Sequence, residues 1–153
     1  MGTGVGLREV GYFDCAGGGQ VAVVDGIAYV GHMRSPHGTS IVDVRDPKHC
    51  RELANIAMPP GTHSHKVRVG NGLMLVNHEL NAADNSPVPA DFNGGIGIYD
   101  VSTPAKPREV ARWNTRGKGV HRFDFDGRYG STTGPWTTEM FLSAVYRTAQ
   151  EKK

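Results

Sequence analysis

The feature that most constrains this chain is an internal repeat of alternating apolar residues around tight turns. The copies are QVAVVDGIAYVGH (20–32), HKVRVGNGLMLVNH (65–78) and the shorter HRFDFDGRYG (121–130). Asp-Gly and Asn-Gly pairs favour two-residue hairpins, because both central residues of a type I′ turn need positive φ. We therefore expect two-residue turns at Asp25-Gly26 and Asp126-Gly127, and a longer or bulged turn in the second copy, which carries one extra residue, Gly70.

A second block is repeated between the hairpins. TSIVDVRDPKHCRELANIAMP (39–59) aligns with IGIYDVSTPAKPREVARWNT (96–115), and each copy holds a strand, a Pro-containing turn and a further strand. No copy shows the 3.6-residue apolar period of a helix, which excludes helical repeats. Each complete unit thus predicts four strands in about 50 residues, the size and content of a β-propeller blade.

The strand-and-turn sequences of the second block resemble the LVIVD repeat. They are IVDVRDP (41–47) and IYDVSTPAKP (98–107), and the resemblance extends over about residues 10–130. It implies membership of a bacterial and archaeal family of β-propellers, mostly of undetermined function and often extracellular. It implies a fold and not a reaction. Four residues form the structural motif: Asp43, Pro47, Asp100 and Pro104.

These motif residues have a physical role at the end of a strand. The Asp side chain is expected to bond backbone N–H groups of the adjoining turn, and the Pro-containing turn ends the strand. Asp43 and Asp100 are therefore interpreted as structural residues and not as ligands.

The repeats predict an all-β fold of four-stranded antiparallel propeller blades over residues 1–130. Blade 1 covers about 11–59, blade 2 about 61–115 and a partial blade 3 about 117–130. The non-repeat tail, residues 131–153, is expected to include a short helix that starts near Thr137. About 2.5 blades make an incomplete propeller, because propellers typically have at least four. Three explanations stay open: a truncated product of a longer gene, self-association that closes a ring, and an open arc capped by the tail.

Composition excludes several classes of partner. The 153 residues have a formal net charge of +2 without a basic block, so neither nucleic acid nor an anionic membrane is implied. No apolar stretch approaches the roughly 18 residues of a membrane span. Without a signal-peptide pattern at the N-terminus we expect a cytoplasmic protein, whereas the family resemblance implies an extracellular or periplasmic one. Cys15 and Cys50 fit two unpaired cysteines in a reducing compartment.

Histidines recur where the propeller geometry predicts one end of a central channel. His65 begins the first strand of blade 2 and His121 that of blade 3, where blade 1 has Gln20; His78 ends the second strand of blade 2 and matches His32. The sequence therefore predicts a metal site for Zn, Cu or Fe. Its ligands would be His63, His65, His78, Glu79 and His121, with His32 and His37 nearby. The alternative is a structural role for these polar residues at a channel mouth.

One loop is longer in the second repeat than in the first. Gly26 and Gly72 are 46 residues apart, while Asp43 and Asp100 are 57 apart, so the loop within NHELNAADNSPVPADFNGG has gained 11 residues. Long irregular loops inside a compact repeat are often functional, and a tolerated insertion is the alternative.

Three functional hypotheses follow. The favoured one is a non-enzymatic β-propeller module, intact or truncated, that binds a protein or a small molecule. The second is a remnant or subunit of a metal-dependent propeller enzyme that uses the histidines. The third is a product without independent function. The sequence contains no GxSxG, GxxxxGK, HExxH or CxxC motif, so other common catalytic chemistries find no support.

Overall fold

The computed structural model describes residues 5–115 and 117–132, which form eleven β-strands. They are β1 (Gly18–Val24), β2 (Ile27–His32), β3 (His37–Asp43), β4 (Arg51–Ala57), β5 (Thr62–His63), β6 (Val67–Gly70), β7 (Leu73–Leu80), β8 (Gly95–Asp100), β9 (Arg108–Asn114), β10 (Phe123–Phe125) and β11 (Gly130–Thr132). These residues include no helix, and hence none that could cross a membrane. The predicted all-β class is therefore confirmed for the described residues, while the helix predicted near Thr137 lies outside them.

The strands form three antiparallel sheets. The first sheet has the order β1-β2-β3-β4. In the second sheet β6, β7, β8 and β9 follow the same order, and the short β5 pairs with the end of β7 beyond β6. The third sheet is the hairpin β10–β11. These described sheets are open, and their assignment as propeller blades stays a prediction.

The second hairpin differs from the sequence-based expectation. Gly70 pairs with Leu73, so the turn consists only of Asn71 and Gly72, with φ values of 50° and 74°. The expected extra residue is therefore wrong, because Gly70 is the last residue of β6. A side chain there would not fit, since a Cβ atom would lie 2.7 Å from the Cα atom of Gly127.

The third hairpin also differs. Phe125 pairs with Gly130, which leaves a four-residue loop in place of the expected two-residue turn at Asp126-Gly127. The Asp126 carboxylate accepts hydrogen bonds from the backbone N–H groups of Arg128 (2.7 Å) and Tyr129 (2.6 Å). This side-chain cap accompanies the wider turn, in which Gly127 keeps a positive φ of 94°. The second strand of the hairpin, β11, includes two residues that the sequence assigned to the tail.

The three sheets stack as three layers, with one apolar core between each neighbouring pair. Side chains alternate along β7, so Met74 and Val76 face the first sheet while Leu75 faces the third. The first core consists of Ile27, Tyr29, Ile41, Val67, Met74, Val76, Tyr99 and Val101. The second consists of Leu75, Ile96, Ile98, Val120, Phe123 and Phe125. Burial of each large apolar side chain contributes about 1.5–3 kcal/mol, so these cores hold the layers together.

The motif aspartates end β3 and β8 in the same way. The Asp43 carboxylate accepts a hydrogen bond from the Arg45 backbone N–H (3.2 Å), and that of Asp100 from the Ser102 N–H (3.0 Å). Hydrogen bonds from the side chain and backbone of Arg45 lower the pKa of Asp43 to about 2. The expected backbone bonds are therefore present in both copies, and Pro47 and Pro104 follow in the turns.

Candidate metal centre

The segment 61–66 carries two of the predicted ligands between β4 and β6. Thr62 and His63 form β5, in which His63 pairs with Glu79 of β7. Ser64 then donates its backbone N–H to the His32 carbonyl of the first sheet (3.3 Å), and the His65 carbonyl accepts from the Gln20 N–H (3.0 Å). Backbone bonds to two sheets therefore fix the positions of both histidines.

Glu79 lies at the centre of a cluster of three histidines. Its Oε2 atom is 2.9 Å from His63 Nε2 and 3.0 Å from His121 Nδ1. The ring of His65 lies 4.4 Å from that of His63 and 5.1 Å from that of His121, between centroids. We call His63, His65, Glu79 and His121 the histidine cluster.

The arrangement fits a metal ion. One ligand atom from each of His63, His65 and Glu79 lies within 4.8 Å of the other two. In a tetrahedral zinc site with bonds of about 2.0–2.1 Å, the ligand atoms lie about 3.3 Å from one another. Small side-chain rotations would therefore bring these three ligand atoms to coordinating distance from one zinc ion. In addition, His63 Nδ1 is buried and has no hydrogen-bond partner among the described residues. Imidazole nitrogen and carboxylate oxygen are donors that zinc, copper and iron accept.

Electrostatics keeps two of the groups in the form that a metal requires. Burial, with a smaller contribution from neighbouring His63, lowers the pKa of His65 to about 4. Burial alone would raise the pKa of Glu79, but hydrogen bonds from His63 and His121 outweigh it, and the pKa is lowered. At neutral pH His65 is therefore a neutral imidazole and Glu79 a carboxylate, as metal coordination demands.

Asn77 supports the cluster and was not predicted. Its fully buried side chain accepts from the Lys66 N–H (2.8 Å) and donates to the Val120 carbonyl (3.0 Å). It thereby connects the segments that carry His65 and His121. The available signal was an Asn in the apolar run LMLVNH, at the place where the first repeat has Gly31.

His78 does not belong to the histidine cluster. Neighbouring side chains of β7 alternate between its two faces, so His78 lies opposite Glu79. Its Nδ1 atom accepts a hydrogen bond from Arg112, and burial followed by the charge of Arg112 lowers its pKa to about 4. The structure therefore brings four of the five predicted ligands together and separates the fifth.

The first sheet provides a different environment at the matching positions. Counted back from the two-residue turns of the first two hairpins, Gly19, and not Gln20 as expected, aligns with His65. The pairing of β1 is irregular in this stretch, where Gly18 lies opposite His32. His32 donates from Nδ1 to the Ala16 carbonyl (2.7 Å), and its ring lies 5.4 Å from that of His37. Both histidines are thus placed outside the cluster.

Comparison with known proteins adds no assignment to this geometry. No protein-family model matches the chain, and no curated protein matches its sequence. The functional interpretation consequently depends on the site itself, and the LVIVD resemblance stays a prediction from the repeat residues.

Proposed function

We propose that this chain is a non-enzymatic β-propeller repeat module of the LVIVD type that binds a divalent transition metal. His63, His65 and Glu79 are the principal ligands and His121 is the fourth. The observation that carries this proposal is the approach of three ligand-bearing side chains to within 4.8 Å of one another. The buried, unbonded Nδ1 atom of His63 supports it, because an unsatisfied buried nitrogen costs about 1–3 kcal/mol.

The place of His121 supports its role as the fourth ligand. It already bonds to Glu79, and its side chain is 57% exposed, so its ring can rotate without disturbing a core. Three imidazoles and one carboxylate make a four-coordinate set that suits zinc. Copper and iron accept the same donors, and metal competition would distinguish them.

Metal titration of the purified, metal-free protein tests the proposal. We expect one equivalent of zinc to bind, and His65→Ala and Glu79→Ala to weaken binding by on the order of 100-fold or more, since each removes a ligand. His49→Ala is the matched control, because His49 is an exposed histidine in a turn, paired with Asp46. Substoichiometric zinc that neither cluster substitution reduces would contradict the proposal.

A metal-dependent enzyme is the second candidate function. Two histidines and one carboxylate are a ligand set that can leave coordination positions open, and the exposure of His121 favours such an opening. Azide added to the cobalt-substituted protein separates the candidates. A changed visible spectrum would favour the open, enzyme-type site, and an unchanged one the four-ligand binding module.

Self-association is part of the proposed behaviour, with a second copy of this chain as the partner. Val21 and Val23 of β1 are 57% and 60% exposed. Their counterparts in the second sheet, Val67 and Val69, face the first sheet and belong to or border the first core. Since the equivalent face of the second sheet packs against the first sheet, we expect the outer face of the first sheet to pack against a sheet of the second copy.

A further inference from the structure

A second candidate site lies between the first two sheets, on the face of β7 opposite to Glu79. It is a cavity of about 790 Å³, within the usual range for small-molecule sites. Its wall includes Met58, just after β4, and His78 of the second sheet. The loop between β7 and β8, which is longer than its counterpart in the first repeat, adds Asp91 and Phe92. The insertion noted in the sequence therefore forms part of a cavity.

His32 of the first repeat and His78 of the second differ in their hydrogen bonds, and His78 lines this cavity. His32 and His78 occupy matching positions at or near the ends of β2 and β7. In the first sheet, His32 Nε2 lies 2.9 Å from the hydroxyl of Ser40. In the second sheet Gly97 stands where Ser40 does, as the matching pairs Ser40–Asn55 and Gly97–Arg112 show. The second copy therefore lacks the hydroxyl that bonds to the histidine in the first.

As a result, His78 has an unsatisfied donor. Its Nδ1 atom accepts from Arg112, so the proton of the neutral ring is on Nε2. That nitrogen has no partner among the described residues, although the residue is only 5% exposed. A Cβ atom on Gly97 would lie 2.8 Å from Nε2, so the glycine permits this ring position. Nε2 has almost no accessible surface in this ring position, so a small turn of the ring toward the cavity that His78 lines is needed before a ligand can accept its proton. Since unpaired buried donors are rare, a ligand that accepts this hydrogen bond would gain from it.

The other polar groups define the class of ligand. Arg112 donates from Nε and Nη2 to Glu109 and from Nη1 to His78, which accounts for three of its five N–H groups. Glu109 and Asp91 bring two negative charges beside the one positive charge of Arg112, which disfavours an anion. The cavity thus presents both donors and acceptors, with the aromatic ring of Phe92 among its lining residues. A hydroxyl group can donate and accept at the same time.

We propose that this cavity binds a neutral polyhydroxylated small molecule, of which a monosaccharide is the simplest example. Its hydroxyl groups bond to Glu109, Arg112 and His78, while its C–H face contacts Phe92. This site is independent of the metal centre, because β7 presents the two on opposite faces.

Saturation-transfer NMR of the full chain tests the proposal with a panel of D-glucose, D-galactose, D-mannose, D-xylose, N-acetyl-D-glucosamine and myo-inositol. We expect at least one compound to bind with a Kd of about 1 mM or below. Asp91→Ala and Phe92→Ala, both in the loop, are expected to weaken that binding by about tenfold or more. Arg112→Met should weaken it further, while Arg108→Met is the control on the same strand, since Arg108 pairs with Asp100 and does not line the cavity.

Several results of these measurements would overturn the proposal. The absence of transfer to every compound overturns it, as does binding that both loop substitutions leave unchanged. D-glucuronate that binds as tightly as D-glucose overturns the neutral class of ligand. Zinc affinity should be the same in Asp91→Ala as in the wild type, so failure of this site and failure of the metal centre are told apart.

Discussion

At the scale of single residues, the histidine cluster depends on a neighbour that binds no metal in our proposal. Asn77 is completely buried, and its amide joins the backbone at Lys66 to the backbone at Val120. These two positions directly follow His65 and directly precede His121. The amide therefore controls the separation of two ligands that are 56 residues apart in the chain.

Asn77→Ala is expected to lower the free energy of unfolding by about 2–4 kcal/mol, because it leaves a partly buried N–H and a buried carbonyl without these partners. Urea denaturation monitored by tryptophan fluorescence measures the change. Asn85→Ala, in an exposed part of the long loop, should stay within about 0.5 kcal/mol of the wild type. Equal stabilities for the two variants would show that the Asn77 bonds contribute nothing.

The sequence predicted which residues meet at this site better than it predicted how they are oriented. The repeat placed His65 and His121 at equivalent positions, and the structure brings both to Glu79. That His78 and Glu79 lie on opposite faces of β7 follows from strand alternation, which the sequence prediction did not apply to these two neighbours. The approach of His63 to Glu79 could not be read from the repeat, because it depends on β5, a two-residue strand without an alternating pattern.

At the scale of strands and turns, close contact between glycines joins the second and third sheets. Gly70 lies against Gly127, and the Asn71 amide donates to the Gly127 carbonyl (2.9 Å).

The alternating apolar residues correctly predicted the strands of the hairpins, because strands with one buried face require this alternation. The two-residue turn predicted at Asp25-Gly26 is confirmed, since Val24 pairs with Ile27 and both turn residues have positive φ. The lengths of the other two turns were predicted wrongly, because Gly70 ends its strand and the Asp126 carboxylate caps its own loop.

We expect Gly70→Ala to destabilise the protein by about 1–3 kcal/mol, since the new methyl group would overlap the backbone of Gly127. Hydrogen exchange should show the loss of protection concentrated in β10 and β11. Gly117→Ala provides the comparison, because a Cβ atom there would have its nearest neighbour at 3.9 Å. Exchange rates in the third hairpin that are the same in both variants would contradict this prediction.

At the scale of the whole molecule, the layers are covered unequally. The second sheet is covered by apolar neighbours on both faces, whereas the first exposes Val21 and Val23 on its outer face. The order of the layers follows from the repeat, because the sheet of each repeat packs one face against the preceding sheet and the other face against the following one. That the layers are blades of an incomplete propeller stays a prediction.

Sedimentation velocity over a range of protein concentrations tests the proposed self-association. The wild-type chain is expected to shift toward larger species as concentration rises, because association buries the two valines. A Val21→Ser, Val23→Ser double variant should lose this shift, and Val88→Ser, at an exposed loop valine, should keep it. A wild-type chain that sediments as a monomer at every concentration would exclude association through this face.

The position of the segment 61–66 has a mechanical consequence. Ser64 and His65 are bonded to the backbone of the first sheet, while His63 is bonded to that of the second. Any change in the distance between these two sheets must therefore displace one imidazole relative to the other. Metal affinity would then respond to substitutions in the first core, such as at Ile41 or Met74, that contact no ligand. The affinity of the proposed metal centre thus depends on the distance between the first and second sheets.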